Sequence, residues 1–151
     1  MRPPSKRAGW CAIAVVCVAG FEGLRTSAYL DPVLIPTICY GETKGVRMGD
    51  RATVDECQGM LADSLEIANK QVDSCVRVPM PDTRRAALVS FAYNVGGGNL
   101  CSSTLVRKLN AGDTVGACNE LPRWNRAKGF VLPGLTKRRE AERQMCLQGL
   151  T

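Results

Sequence analysis

The spacing of apolar and polar residues changes several times along this chain, and each change predicts an element. Residues 8–21, "AGWCAIAVVCVAGF", carry no charge and read as one apolar helical segment. Residues 27–50 lose that character. Pro32, Pro36, Gly41, Gly45 and Gly49 punctuate short β-prone pieces, "AYL" and "TICY", which predicts a small twisted hairpin or meander. Thr53 and Glu56 form a capping box ahead of "VDECQGMLADSLEIANKQVDSCV". Leu61, Leu65, Ile67 and Ala68 give that stretch an apolar stripe, so a long helix is predicted over about 54 to 74.

"VPMP" then breaks the chain, and Asp82 or Thr83 is expected to cap a helix through "RRAALVSFAYNV", closed by the glycines at 96–98. Ser103 opens "STLVRKLN", stopped at Ala111-Gly112, and Asp113 opens "TVGACNEL", stopped at Pro122. After a loop containing Trp124, "GLTKRREAERQMCLQGL" is the last predicted helix. Helix, small β region, then several helices is the order of an α+β domain with its helices to one side.

With 151 residues the chain fits one domain, and 23% charged against 45% apolar residues is a globular balance. The net charge of +6 favours anionic partners such as membrane surfaces, acidic wall polymers or nucleic acid. Basic residues are not interleaved with aromatics, which argues against nucleic acid. Histidine is absent altogether. That removes Ser-His and Cys-His nucleophiles and disfavours zinc, so acid–base work near neutral pH falls first to carboxylates. Eight dispersed cysteines, without a Cys-x-x-Cys pair, indicate disulfides and an oxidising compartment.

"MRPPSKR" places three positive charges before the apolar run, the pattern of an export signal. As a helix at ~1.5 Å per residue the run reaches about 21 Å, short of a roughly 30 Å hydrocarbon core. Three readings arise: a signal cleaved after "CVA", a marginal anchor that later leaves lipid, or the first buried helix of the domain. Cleavage after Ala19 would remove the helix that holds Glu22. Insertion first and core helix later is therefore the expectation, with residues 1–21 as the export segment and residues 18–151 as the folded domain.

Glu22 follows the apolar run, where low polarity is expected to favour its protonated form. Asp31 lies in the polar turn "LDPV", where it is expected to stay ionised, and the Thr37 hydroxyl can hold a water. Two carboxylates in contrasting settings supply the acid and base of glycoside hydrolysis. Spacing alone fits equally a solvated glutamate, a turn aspartate and a strand threonine.

The surrounding residues narrow this. "FEGLRTSAYLD" with "PTICYGET" resembles the active-site segment of phage-type lysozymes, the glycoside hydrolase family 24 endolysins. "ALVSFAYNVGGGNLCSSTLVRKLN", "GACNELPRW" and "GLTKRREAERQMC" extend the resemblance over about residues 18 to 148. It implies a two-lobed, mostly helical phage lysozyme fold that cuts the β-1,4 bond between N-acetylmuramic acid and N-acetylglucosamine. Glu22 is then the general acid, and Asp31 and Thr37 handle the attacking water in an inverting reaction. The first helix and hairpin are expected in one lobe and the helices from residue 83 in the other. The chain departs from the family's common Gly-Tyr-Gly-His-Thr by having "CYGET", with Cys39 and Glu42 at the first and fourth of those positions.

The resemblance also implies the pairings Cys39–Cys57, Cys75–Cys101 and Cys118–Cys146. Cys11 and Cys17 remain in the apolar segment, as regulatory thiols able to exchange with a disulfide or as small apolar fillers. Asn94 is either an N-acetyl ligand or a helix-terminating residue. Trp124 reads as core packing ahead of a sugar platform, and Lys137, Arg138, Arg139 and Arg143 read mainly as a solvated face, with Arg139 pairing to Glu142 or Arg143. Some members of the family carry a signal-arrest-release segment. By that likeness the chain is exported to the periplasm, held at the inner membrane through residues 8–21 and then freed, acting on peptidoglycan as a monomer with no cofactor. A lytic transglycosylase and a non-catalytic cationic lytic protein are the rival readings.

Overall fold

The computed structural model describes residues 9–150, so the basic stretch "MRPPSKR" lies outside the described residues. The apolar run folds as α1 (Gly9–Glu22), with Trp10, Cys11, Ala14 and Val18 buried at helical spacing. Gly23, at φ 70°, turns the chain out of α1 in a conformation that glycine adopts without steric cost. β1 (Arg25–Leu30) and β2 (Pro36–Cys39) then pair antiparallel, Tyr29 opposite Thr37 and Leu30 opposite Pro36. This is the expected hairpin.

α2 (Val54–Cys75) starts at the predicted capping box, whose two bonds between Thr53 and Glu56 are both 3.1 Å. α3 (Asp82–Val95) runs through the middle of the core, with every residue from Ala86 to Ala92 buried. Neither Asp82 nor Thr83 caps it. Pro81 holds the N-cap with extended backbone, so Asp82 is already helical and no side-chain cap bond forms. Gly96 alone ends α3, at φ 90°, and Gly97 opens the short α4 (Gly97–Cys101) instead of continuing a loop.

α5 (Thr104–Asn110) and α6 (Thr114–Cys118) begin at the caps expected, Ser103 accepting from Val106 N–H and Asp113 from Gly116 N–H. α6 stops at Cys118, earlier than Pro122, which lies inside a 3-10 turn over Leu121–Arg123. A second hairpin, β3 (Arg126–Ala127) with β4 (Phe130–Val131), occupies what the sequence predicts as loop. α7 (Pro133–Leu147) closes the described chain.

Disulfides join Cys39–Cys57, Cys75–Cys101 and Cys118–Cys146, tying β2 to α2, α2 to α4 and α6 to α7. The lobe assignment of the first helix is corrected. α1 packs on α3, α2 and α7 within the helical body, because its buried face matches their apolar faces; the β1–β2 hairpin stands apart as the smaller lobe. Among the described residues no helix is long and apolar enough to cross a membrane.

Candidate active site

Glu22 ends α1 where that helix meets α7, and the carboxyl is not in the apolar setting expected for it. Oε1 accepts a 2.7 Å hydrogen bond from Arg138 Nη1. Arg138 is itself fixed from the other side, donating to the Ser90 carbonyl at 3.1 Å and to Glu142 Oε2 at 3.4 Å. Ser90 Oγ donates to the same Glu142 oxygen at 2.6 Å. Arg139 Nε lies 2.7 Å from Glu142 Oε1, yet neither atom has hydrogen-bond geometry, so charge attraction holds that contact. Arg139 Nη2 donates to Asn94 Oδ1 at 2.9 Å and to Glu142 Oε2 at 3.4 Å.

Arg138, Arg139 and Glu142 are therefore buried, which corrects the reading of this stretch as a solvated face; Lys137 keeps that reading. The guanidiniums enter the core because Glu142, one helical turn on, goes with them. Cys17 reaches the same cluster, its Sγ 3.8 Å from Ser90 Oγ. Burial above all pushes the Cys17 thiol up, which disfavours the nucleophilic thiolate in this folded state.

The hairpin holds its residues by local bonds. Asp31 Oδ1 accepts from Val33 N–H at 2.9 Å and from Ile35 N–H at 2.8 Å, closing the turn between the strands. Both bonds fall on Oδ1; among the described residues Oδ2 accepts none. Thr37 is buried on β2 and its hydroxyl donates to the Ile35 carbonyl at 2.9 Å, leaving the oxygen's lone pairs as acceptors.

Glu22 meets this hairpin at its base. Arg25 pairs with Cys39 there, and a Cβ built on Gly41 would lie 3.7 Å from Glu22 Oε2. Glu42 follows, its Oε1 accepting from Ser64 Oγ at 2.9 Å. Burial is the main cause pushing the Glu42 carboxyl up; the Ser64 bond opposes it, and the charges of Asp63 and Glu22 add to it. Burial likewise pushes the Tyr93 phenol up, so it remains a hydroxyl, donating to the Tyr40 carbonyl at 3.3 Å.

Between α1, α3 and α7 a groove of about 370 Å³ is lined by Phe21, Glu22, Asn94, Leu135 and Arg138. It shares Asn94 and Leu135 with a second cavity of about 400 Å³ that Trp124 and Arg126 line. Asn94 thus stands beside Glu22, exposed, with its carbonyl oxygen engaged by Arg139. Trp124 packs edge-to-face on Phe91 at 5.3 Å, as core packing requires, while one side borders the cavity. No group of metal-ligating side chains forms among the described residues. The Arg139–Glu142 pairing expected from the sequence is present, whereas the contacts of Arg138 with Glu22 and of Ser90 with Glu142 are what sequence reasoning missed. The signal available was two arginines three and four residues ahead of one glutamate on a helix.

Residues 19–142 match the family model described as phage lysozyme. A SAR-endolysin of Bacteriophage PS119 is 44% identical over 93% of this chain and 89% of its own. The active form of the P1 phage endolysin Lyz superposes with a TM-score of 0.84 at 30% identity, covering 91% of this chain and 84% of that one. Its secreted inactive form gives 0.56 at 31% identity, over 72% and 77% of the two chains. A carboxylate ending the first helix, a small hairpin carrying an aspartate and a threonine, and a helical body behind them accompany these matches, and the chain belongs to the phage lysozyme family.

Proposed function

We propose that a peptidoglycan glycan strand passes along the groove that Glu22, Asn94 and Arg138 line between α1, α3 and α7, and that Glu22 donates the proton to its departing glycosidic oxygen. The enzyme is a lysozyme that lyses the bacterial cell wall from the periplasm. Glu22 at the groove mouth, 2.7 Å from Arg138, is the observation that carries the assignment of its role. The guanidinium stabilises the carboxylate left after proton transfer. Asp31 Oδ2 takes a proton from a water, and the Thr37 oxygen accepts that water's other hydrogen, aiming its lone pair at the anomeric carbon. Water enters opposite the leaving group, which inverts the configuration. Asn94 Nδ2 remains available to donate to an N-acetyl carbonyl.

Residues 1–21 serve as the export segment, and residues 18–151 as the catalytic domain. While the apolar run is held in the inner membrane, Glu22 stays away from Arg138 and the hairpin. Docking of α1 then completes the site. The likeness to SAR-endolysins and the closer superposition on an active form support this order of events. In the docked state Cys17 acts as an apolar filler; any exchange by Cys11 or Cys17 belongs to the membrane-held state.

Muropeptide analysis of purified peptidoglycan tests the assignment. Wild-type enzyme is expected to release new reducing ends on N-acetylmuramic acid, and Glu22→Gln to lower that rate by about 10²–10⁴-fold with the fold intact. Anhydro-sugar products would make the protein a transglycosylase, and an active Glu22→Gln enzyme would remove Glu22 from the chemistry.

A further inference from the structure

Asn94 stands at the junction of the two cavities beside Glu22, and its carboxamide fits only one way round. The cavities, of about 370 and 400 Å³, share three residues: Asn94, Leu132 and Leu135. Arginine carries donors and no acceptor, so the Asn94 atom 2.9 Å from Arg139 Nη2 has to be the carbonyl oxygen. Turning the amide over would set its N–H groups against those of the guanidinium, donor facing donor. Arg139 cannot move to relieve that. It is 0% exposed, its guanidinium lies 4.9 Å over the Phe91 ring, and Glu142 lies 2.7 Å from its Nε and 3.4 Å from its Nη2. The acceptor of Asn94 is thereby engaged inside the protein. Nδ2, which has no hydrogen-bond partner among the described residues, is the end left to the cavities, with Leu132 and Leu135 beside it.

A donor flanked by apolar side chains matches an acetamido group, whose carbonyl accepts and whose methyl packs. A free amine at the same sugar carbon lacks both features, and as an ammonium it offers donors only. The charged residues lining the two cavities are Arg126 and Arg138 against Glu22, a balance that does not favour a further cation. A site built to hydrogen-bond one group rejects the analogue without it, because the site's own polar atom is left unpaired. On the reading that a glycan strand occupies this groove, we propose that Asn94 makes the enzyme selective for N-acetylated over N-deacetylated glycan. Arg139 is the positioning residue that sets this selectivity, by fixing which end of the Asn94 amide meets the sugar. Being fully buried, it acts through Asn94 and not on the strand.

The experiment compares kcat/KM on purified peptidoglycan with kcat/KM on the same material N-deacetylated at both sugars. Wild type is expected to favour the acetylated wall about ten- to hundredfold, the effect of one hydrogen bond in a partly open groove. Chemical re-acetylation should restore the lost rate. Asn94→Asp puts a second oxygen in place of the donor at an exposed position, with Arg139 still holding the first, and should bring the two rates within about threefold. Arg139→Met frees the amide to turn either way and should narrow the ratio likewise. Where that variant folds poorly, the wild-type ratio and Asn94→Asp decide, since neither disturbs the core. Damage to the fold lowers both rates together and leaves their ratio unchanged. A wild-type ratio near one, or a wild-type ratio retained by Asn94→Asp or by folded Arg139→Met, would therefore overturn the proposal. Glu22→Gln run alongside separates the two readings. If it is inactive on both walls while the wild-type ratio is near one, the selectivity alone falls. If it cleaves, or wild type cleaves neither wall, the reading of the groove falls with it.

Discussion

The two halves of the site hold their carboxylates by opposite means. Glu22 is fixed from 116 residues away, through Arg138 on α7, and behind that bond stand Ser90 and Glu142 from two helices. Asp31 is fixed by its own turn, through the amides of Val33 and Ile35. The first arrangement exists only when α1, α3 and α7 are packed together; the second needs little beyond the hairpin. Placement of Glu22, the proposed acid, is therefore coupled to docking of the apolar helix, whereas the half proposed to handle water is built locally. Under the proposed release from the membrane, this difference would let docking of α1 complete the enzyme.

Removing the centre of the buried cluster tests the coupled half with the largest expected effect on the fold. Glu142→Gln leaves the buried Arg139 without a carboxylate and Arg138 with Glu22 alone, and is expected to cost about 3–5 kcal/mol in denaturant unfolding. Activity should fall with the folded population. A loss under about 1 kcal/mol would mean that the cluster is more hydrated than its burial indicates.

Asp31→Asn probes the local half. Asparagine Oδ1 can still accept from Val33 and Ile35, so the turn should survive with a stability change within about 0.5 kcal/mol. Hydrolysis should drop by about 10²–10⁴-fold if Asp31 is the general base proposed above. Equal losses of stability in the two variants would erase the contrast between the halves; near-normal hydrolysis by Asp31→Asn would move the base elsewhere.

The same contrast governs what the sequence made legible. The local half was readable: the capping box at Thr53, the β-prone pieces around Pro36 and the Asp31 turn all depend on neighbours within a few residues. So was the order of the helices, because apolar periodicity reports burial. Arg138 was not readable as a partner of Glu22. In sequence, "TKRREAER" has the polarity of a solvated face, and only packing of α7 onto α1 and α3 turns two of its arginines inward. The β3–β4 hairpin escaped notice because two-residue strands leave no alternation to detect. Placing α1 in the wrong lobe had a related cause, since adjacency in sequence to the hairpin does not say which surface the helix buries.

Glu42 sits where the halves meet, on the turn beside Glu22 and bonded to Ser64 of α2. Its carboxyl is pushed up, chiefly by burial, so the folded state favours its protonated form more than the unfolded chain does. Its contribution is then most favourable below the ordinary glutamate value of about 4.3 and is lost as pH rises through the raised folded value. Glu42→Gln mimics the protonated form and keeps an acceptor for Ser64. The variant should melt higher than wild type at pH 7.5, by no more than about 2 °C, and show no advantage at pH 4. A lower melting temperature at pH 7.5 would mean that the ionised carboxylate is itself a stabilising partner of the turn. An equal gain at both pH values would assign the effect to packing. Only a gain confined to the higher pH identifies a carboxyl that the fold holds against its charge, next to the acid that the proposed reaction needs.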